Sequence, residues 1–311
     1  MNNTQSKEYI EDEIDLAVLV RALFHGKWII IGFTSIASIL VVIYSLSLPN
    51  IYTGQALLVP VSSKDSVGGG SAQGGLGGLA SLAGLSLSDS SDTSIVAIEK
   101  IQSLSFFEDK ILSRINLPDL MAVKSWNLSS NLITYDKEIY DAQMKTWTRE
   151  VVPPQKPKPT AQESFKAFME HINVVKDLKT NIVTISAQHQ SPFVAKQWAD
   201  LVVTEINTFY REKDRSEAEF AVNYLNDQIS KTRLSEVKMV IAEVLAQQIQ
   251  KLTLIEANDN YVFDYIDPPA VMEKKSAPRR AIICIIGALL GGFIGALVAL
   301  FKYLQQARLE D

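Results

Sequence analysis

The sequence has little cysteine and histidine, and this restricts the chemistry that it can perform. Cys284 is the only cysteine among 311 residues, so neither an intrachain disulfide nor a thiolate metal cluster can form. The three histidines, His25, His171 and His189, are far apart, and none belongs to a two-histidine helical motif. No Gly-x-Ser-x-Gly nucleophile motif occurs either. We therefore expect a protein that is not an enzyme and that holds no metal and no cofactor.

The sequence also lacks an excess of basic charge. It contains 30 Lys and Arg residues and 35 Asp and Glu residues, which gives a net charge of -5. No nucleic-acid partner is expected, because binders of that class carry a basic patch. Residues 67–92 are rich in glycine but lack the Gly-Lys-Ser/Thr ending of a phosphate loop, so they are predicted to form a flexible or loosely packed loop.

Two long apolar runs dominate the sequence. Residues 28–48 and 281–301 each contain 21 residues without a charge. At about 1.5 Å per helical residue, each run is long enough to cross the hydrocarbon core of a bilayer. A cleaved signal peptide would have a shorter apolar core near the N-terminus, whereas the first run begins only at Trp28, after several acidic residues. Both runs are therefore predicted to be transmembrane helices.

The two spans divide the chain into an N-terminal tail (1–27), a first span (28–48), a large domain (49–280), a second span (281–301) and a C-terminal tail (302–311). Two spans put both tails on one side of the membrane and the domain on the other. The Lys and Arg residues near the spans are almost equally numerous on the two sides. The positive-inside rule therefore does not decide which side the domain occupies.

The domain combines strand and helix signals. Strands are predicted where β-favouring residues cluster or alternate, at residues 52–61, 172–175, 181–187 and 261–266. Helices are predicted at residues 94–115 and 161–170 from apolar residues at helical spacing. The fold class is therefore an α+β membrane protein in which two transmembrane helices bracket an α/β base and long extended helices.

One segment predicts those long helices. Residues 193–257 contain neither proline nor glycine, and as one helix they would be about 100 Å long. Such a helix must project from the domain or fold back, and the apolar spacing slips at Thr232 and Arg233, where we expect a bend or break. An apolar stripe on a projecting helix needs a partner, so homo-oligomerisation is expected. The predicted oligomer face is formed by Val194, Trp198, Leu201, Ile206 and Phe209.

The second span carries small residues in a repeated pattern. Gly287, Gly291 and Gly295 form two consecutive Gly-x-x-x-Gly units, which allow helices to approach closely in lipid. The pattern is consistent with packing between subunits or against the first span. A proline-rich segment precedes this span, and its fixed φ angles are predicted to set how the domain joins the membrane. Its prolines are Pro268, Pro269 and Pro278.

The order of several short segments resembles the Wzz chain-length determinants, which are polysaccharide co-polymerases without a fused kinase. The segments are residues 12–16 with 23–28, 52–59, 147–159, 189–192 with Ala195 and Trp198, Asn207 with Arg211, Glu217-Ala218 with Tyr224-Leu225, 261–263, 266–270, Lys274 and Pro278. Together they cover nearly the whole chain.

The resemblance implies a Gram-negative inner-membrane protein with cytoplasmic tails and the domain in the periplasm. It implies a non-catalytic homo-oligomer that controls the chain length of O-antigen or a related surface polysaccharide made by a Wzy-type polymerase. The polymerase is then the expected partner, and the growing polysaccharide and membrane lipid are further candidates. Some relatives carry a tyrosine kinase after the second span, but residues 302–311 contain no phosphate-binding motif.

Two other functions fit the same two-span organisation. One is a membrane-anchored periplasmic adaptor for polymer export, which shares the long helices. The other is a two-span membrane sensor whose outer domain binds a ligand. A sensor needs a cytosolic output module, and residues 302–311 are expected to be too short for one.

Overall fold

The computed structural model describes residues 26–61 and 90–310. The chain divides into two compact units, one formed by Met1–Asn50 and Ser276–Asp311 and the other by Ile51–Lys275. We call the first the span unit and the second the central unit. Most of the predicted N-terminal tail and most of the glycine-rich segment 67–92 lie outside the described residues.

The elements follow one another from the first span to the second. In chain order they are α1 (Lys27–Ser47), β1 (Tyr52–Pro60), α2 (Ser90–Ile101), α3 (Leu104–Phe106) with a π-helical turn (Phe107–Ile111), α4 (Leu117–Met121), β2 (Val123–Asn127), β3 (Leu132–Tyr135), β4 (Tyr140–Asp141), β5 (Thr146–Trp147), α5 (Ala161–His171), β6 (Ile172–Lys176), β7 (Val183–His189), α6 (Pro192–Lys231), α7 (Ser235–Ala257), β8 (Phe263–Asp267) and α8 (Arg280–Glu310). The α+β class predicted from the sequence is confirmed.

The two apolar runs form α1 and the first part of α8. Lys27–Ser47 and Arg280–Lys302 are each long and apolar enough to cross a membrane. They agree within about one residue with the runs found in the sequence. The chain is therefore a membrane protein with two candidate spans, and its division into tails and a domain on opposite sides stays a prediction.

The core of the central unit lies between an antiparallel sheet and α6. The sheet has the strand order β6-β7-β1-β8. Its central strands alternate, so that one face is buried, and its buried cross-strand pairs are Tyr52 with His189, Gly54 with Ala187, Ala56 with Ile185 and Leu58 with Val183. The first half of α6 covers this face, with Trp198 only 2% exposed. An antiparallel sheet with one covered face gives the alternation seen in β1 and β7.

The long predicted helix is a hairpin of two helices. α6 ends at Lys231 and α7 begins at Ser235, so the interruption falls where the sequence predicted a bend or break. Thr232 has an extended backbone with ψ 131°, and its hydroxyl donates to the Gln228 carbonyl at 2.8 Å. α7 then packs back along α6. Of the two possibilities left by the sequence, the structure shows the fold-back.

The single helix predicted at residues 94–115 is wrong. α2 ends at Ile101, and Ser103 has an extended backbone with ψ 142°. The Ser103 hydroxyl accepts a hydrogen bond from the Phe106 amide at 3.3 Å and so begins a new helical turn. Serine favours such a capping position over a helix interior, because its hydroxyl replaces a missing backbone partner.

Two small hairpins, β2–β3 and β4–β5, occupy a stretch where no strands were predicted. Asn131 and Lys145 adopt positive φ angles of 52° and 53° in their turns. The Asp141 carboxylate accepts hydrogen bonds from the amides of Gln143 and Met144 at 2.8 and 3.1 Å. Asn and Asp residues between β-favouring segments are turn signals, and they could have revealed both hairpins.

Candidate functional site: helix packing and anchoring

The glycines of the second span lie against the first span. A Cβ built at Gly287, Gly291 or Gly295 would meet α1 at a distance far below the ordinary carbon–carbon contact of about 3.5–4.0 Å. The nearest α1 residues are Val41 for Gly287, Ala37 for Gly291, with its Cβ at 2.5 Å, and Ile30 for Gly295, with its Cα at 2.9 Å. α1 and α8 thus approach so closely that only a hydrogen atom fits at these three positions.

Other glycines of the span unit are not crowded in this way. A Cβ at Gly292 would meet only the Thr34 hydroxyl, at 3.4 Å, and one at Gly32 would meet nothing within 4 Å. The close approach is therefore confined to one face of α8, the face that carries a glycine every four residues from Gly287 to Gly295. Within one chain this face contacts the first span. Its contribution to assembly between subunits stays a prediction.

The prolines that precede the second span belong to different units. Pro268 and Pro269 follow β8 in the central unit, where Pro269 is buried and Pro268 is exposed. Pro278 lies in the span unit, two residues before α8, and is half-buried. Arg280 ties the two helix ends of the span unit together, because its guanidinium donates to the Leu48 carbonyl at 3.2 Å. The role of the prolines in setting an angle stays a prediction.

The side chains predicted to form an oligomer face are occupied within a single chain. Val194, Trp198 and Ile206 are 9%, 2% and 0% exposed and belong to the core of the central unit. Leu201 and Phe209 are half-buried and pack against the same core. The reason is topological: the strands that precede α6 supply the apolar surface that its first half needs. This apolar stripe therefore packs inside one subunit.

A different apolar surface is exposed on the outer part of the α6–α7 hairpin. Beyond Ala218, no residue of α6 is buried, and Ile255 is the only buried residue of α7. Large apolar side chains on this part are mostly exposed, and we call them the distal face: Phe220 at 74%, Tyr224 at 55%, Leu234 at 64%, Met239 at 73% and Val240 at 60%. Two helices alone cannot bury such a surface, so it is available to a partner.

Asn207 fixes the returning chain to α6. Its side chain is 4% exposed and uses both ends of its amide. The oxygen accepts from the amides of Val262 and Phe263 at 2.8 and 2.9 Å, and the nitrogen donates to the Phe263 carbonyl at 2.9 Å. Asn207 was noted in the sequence only as part of the family resemblance, and its contacts explain why an amide is needed there.

Charged and phenolic groups join α6 to α7 near the same place. The Asp214 carboxylate accepts from the Tyr261 hydroxyl at 2.5 Å and forms an ion pair with Lys251 at 3.8 Å. Arg215 forms a close ion pair with Glu256. Burial and the hydrogen bond to Asp214 raise the pKa of Tyr261 well above its usual value, so this hydroxyl stays protonated. These contacts fix the base of the hairpin, although exposed ion pairs individually stabilise little.

Two histidines, the half-buried His171 and the buried His189, pack near Trp198. The ring centroids of His171 and His189 are 5.8 and 5.1 Å from that of Trp198. His189 Nδ1 accepts a hydrogen bond from the Ser191 amide at 2.9 Å, so Nε2 must carry the proton that it donates to the Asp119 carbonyl at 3.0 Å. Ser191 is the N-cap residue of α6, but its side chain makes no cap hydrogen bond. Burial lowers the pKa of both histidines.

We expect acidification to destabilise the central unit below about pH 6.5. Above the ordinary histidine pKa of 6.5, both rings are neutral in the folded and the unfolded chain. Below it, the unfolded chain binds protons that the two packed rings of the folded chain do not, so the free energy of unfolding falls with pH until the lowered folded pKa is reached. Denaturant unfolding of the full-length protein between about pH 7.5 and 5 measures this slope.

The matched variant for this prediction is His189→Gln, which keeps a polar side chain but cannot titrate. Its unfolding free energy should depend less steeply on pH than that of the wild type. Equal slopes would show that the buried His189 is not the source of the pH dependence.

Arg149 fastens the proline-rich segment 147–159 to α5. Its guanidinium donates to the carbonyls of Pro157 and Lys156 at 2.6 and 2.7 Å and to the Glu163 carboxylate at 2.7 Å. Glu163 also completes a capping box with Thr160 at the start of α5. The hydrogen bonds from Arg149 and from the Thr160 amide lower the pKa of the Glu163 carboxyl. This segment is therefore an ordered loop.

The functional features of the described residues are structural contacts. Within residues 26–61 and 90–310, no group of three or more His, Cys, Asp or Glu side chains could hold a metal ion. A buried carboxylate, Glu205, is paired with Arg114 at 2.8 Å. The arrangement can hold helices together, present an apolar surface and respond to pH.

Comparison with known proteins gives one family match. Residues 12–114 match the family Wzz, chain length determinant protein. The search of curated proteins gives no match.

Two solved structures show distant similarity. One is a full-length bacterial polysaccharide co-polymerase, 13% identical with a TM-score of 0.40, over 95% of this chain and 99% of that chain. The other is a fragment of WzzB, a polysaccharide co-polymerase from Salmonella Typhimurium, 11% identical with a TM-score of 0.35, over 73% of this chain and 100% of that chain. Neither likeness assigns a role to an individual residue here.

Proposed function

We propose that this chain belongs to the Wzz family, whose model matches residues 12–114, and that it regulates the chain length of a surface polysaccharide. That match is the observation that carries the proposal. The polysaccharide is O-antigen or a related glycan, and a Wzy-type polymerase elongates it. The chain itself is a scaffold without catalytic activity. In the described residues, the polar side chains noted above connect helices, strands and loops, which is in keeping with that role.

The proposed location is the bacterial inner membrane, with Ile51–Lys275 in the periplasm. Two apolar helices at the ends of the chain support membrane insertion. A loop between two spans translocates largely regardless of its charge when it is long, so the balanced Lys and Arg counts are compatible with this side. The prolines Pro268, Pro269 and Pro278 would then connect the periplasmic unit to the second span.

The proposed assembly is a homo-oligomer in which the distal face contacts neighbouring subunits. The support is the exposed apolar surface of the α6–α7 hairpin, which has no partner within the described part of one chain. Each subunit carries the same surface, so one contact is repeated throughout the assembly. Burying a large apolar side chain contributes about 1.5–3 kcal/mol, which makes this surface a sufficient basis for association.

Phe220→Ser is expected to shift the full-length protein to smaller assemblies. The phenyl ring is 74% exposed in the single chain, so its replacement removes apolar area from the contact without opening a cavity in the core. The matched control is Leu178→Ser in the β6–β7 turn, where the side chain is 85% exposed but outside the distal face. Mass photometry of the protein in nanodiscs measures assembly size. An unchanged distribution for Phe220→Ser would exclude this ring from the contact.

Deletion of the gene tests the proposed function. We expect the polysaccharide to be made in a similar amount but with lengths that are no longer grouped around a preferred value. Gel electrophoresis of the surface polysaccharide shows the length distribution, and sugar analysis gives the amount. A deletion strain with unchanged lengths and blocked secretion would instead favour a role as an export adaptor.

A further inference from the structure

Three aromatic rings form a continuous half-buried cluster on the small hairpins of the central unit. We call Tyr135, Tyr140 and Trp147 the aromatic face. Tyr140 and Trp147 are directly opposite each other in β4 and β5, with ring centroids 5.0 Å apart. Tyr135, at the end of β3, meets Tyr140 edge to face at 5.6 Å. Each ring is neither buried nor fully exposed, so each presents part of its surface to solvent.

The aromatic face is separate from the main core. Among the described residues, the core cluster of the central unit and the side chains packed on it do not include these three rings. Trp126 on the neighbouring strand differs, since it packs edge to face on the nearly buried Tyr52 at 5.5 Å. Packing against Tyr52 of the main sheet therefore explains the position of Trp126. It does not explain the aromatic face.

The aromatic face is preorganised and still has polar atoms to offer. The Tyr135 hydroxyl donates to Asp119 at 2.6 Å and accepts from Asn116 at 3.3 Å, which fixes its ring. In the part of the chain that the structure describes, no hydrogen bond engages the Tyr140 hydroxyl or Trp147 Nε1. Rigid aromatic side chains with a free polar edge give a large contact area at a low cost in conformational entropy.

This combination fits a sugar. The C–H groups on one face of a pyranose ring pack against an aromatic face, while its hydroxyls require nearby donors and acceptors. Here the donors are the Tyr140 hydroxyl and the Trp147 indole N–H. Carboxylate acceptors follow two of the rings in the chain, at Asp136 and Asp141, which use Oδ1 to fix their own turns at 3.1 and 2.8 Å. These carboxylates would repel a phosphate-bearing ligand.

We propose that the aromatic face is a contact site for the polysaccharide whose length the protein regulates. The inference rests on the proposed function, which brings a glycan of many repeats close to the protein. A single site of this size is expected to be weak. Copies of it in a homo-oligomer would act together on one long chain, because each binding event raises the effective concentration for the next.

The test is the affinity of full-length protein in nanodiscs for the host's own surface polysaccharide, released from its lipid by mild acid. Trp147→Leu keeps an apolar side chain but removes the ring, and it should weaken binding by about tenfold, the loss expected for one stacked ring. Trp147→Phe should retain most of the affinity. Met144→Ala, in the same hairpin turn and 74% exposed, is the matched control and should bind as the wild type does.

Two results would overturn the inference. One is that the wild-type protein does not bind the polysaccharide. The other is that Trp147→Leu binds it like the wild type. If Trp147→Leu melts at a lower temperature than the wild type, Tyr140→Leu serves as the second variant with the same expected loss. If binding is lost when the ring is removed, but is competed by a peptide and not by polysaccharide, the aromatic face would be assigned to a protein partner.

The same experiments separate this inference from the proposed function. If gene deletion leaves polysaccharide lengths unchanged, the proposed function fails whatever the binding result. If deletion changes the lengths but the aromatic face does not bind polysaccharide, only the contact site is wrong.

Discussion

Gly54→Ala is expected to destabilise the central unit by about 3 kcal/mol, the upper end of the usual cost of overpacking a core. A Cβ at Gly54 would lie 2.6 Å from the carbonyl carbon and oxygen of Ala195 and 2.7 Å from the amide nitrogen of Lys196. These are backbone atoms of the first turns of α6, and they cannot rotate away as the end of a side chain could. The whole helix would have to move off the sheet.

Such a movement would affect more than one residue. α6 carries Trp198 and Ile206 into the core and holds β8 through Asn207, so lifting it loosens both sides of the sheet. For a unit of this size, 3 kcal/mol corresponds to a fall in melting temperature of roughly 10 °C. The fall should be visible in thermal unfolding of the full-length protein in detergent.

Gln55→Ala is the matched control for this prediction. It changes the adjacent residue of β1, whose side chain is exposed on the opposite face of the sheet. It should melt close to the wild-type temperature. A Gly54→Ala protein as stable as Gln55→Ala would mean that α6 does not sit on β1 as closely as the structure shows.

Gly291→Leu is expected to change both the packing of the spans and the preferred polysaccharide length. The first added carbon would already lie 2.5 Å from the Cβ of Ala37, and the rest of a leucine has no room. In lipid, close approach of small residues is a main source of helix association, so α8 would separate from α1. Gel analysis of the polysaccharide and mass photometry of the protein are the two measurements.

The span unit offers both a control and a rescue. Gly292→Leu places the same side chain one position away, where a Cβ meets only the Thr34 hydroxyl at 3.4 Å, and it should have the smaller effect. The helix packing lost in Gly291→Ala should be partly restored by adding Ala37→Gly. The second substitution removes the methyl group that the new Cβ at position 291 would meet. Wild-type behaviour of Gly291→Leu on both measurements would refute the packing role of the glycine repeat.

The sequence predicted the features that depend on one element at a time. An uncharged run of 21 residues identifies a span without knowledge of its neighbours, and a slip in apolar spacing at Thr232 and Arg233 identifies a break. The four strands of the main sheet were also predictable, since alternation of buried residues is a property of each strand alone.

The features that depend on pairs of elements were not predictable in the same way. An apolar stripe such as that of Trp198 and Ile206 shows that a partner exists, but it does not say whether the partner is a sheet or a second subunit. The requirement for Gly54 arises only when α6 lies on β1. The aromatic face is likewise assembled from β3, β4 and β5, and the sequence alone does not show that these three strands bring the rings together.

The length distribution of the surface polysaccharide tests the central claim most directly. A strain that lacks the gene is compared with the same strain producing the full-length chain from a plasmid, and the polysaccharides are resolved on one gel. We expect the plasmid to restore a cluster of bands around one preferred length, with little change in total sugar. Identical band patterns with and without the chain would contradict it.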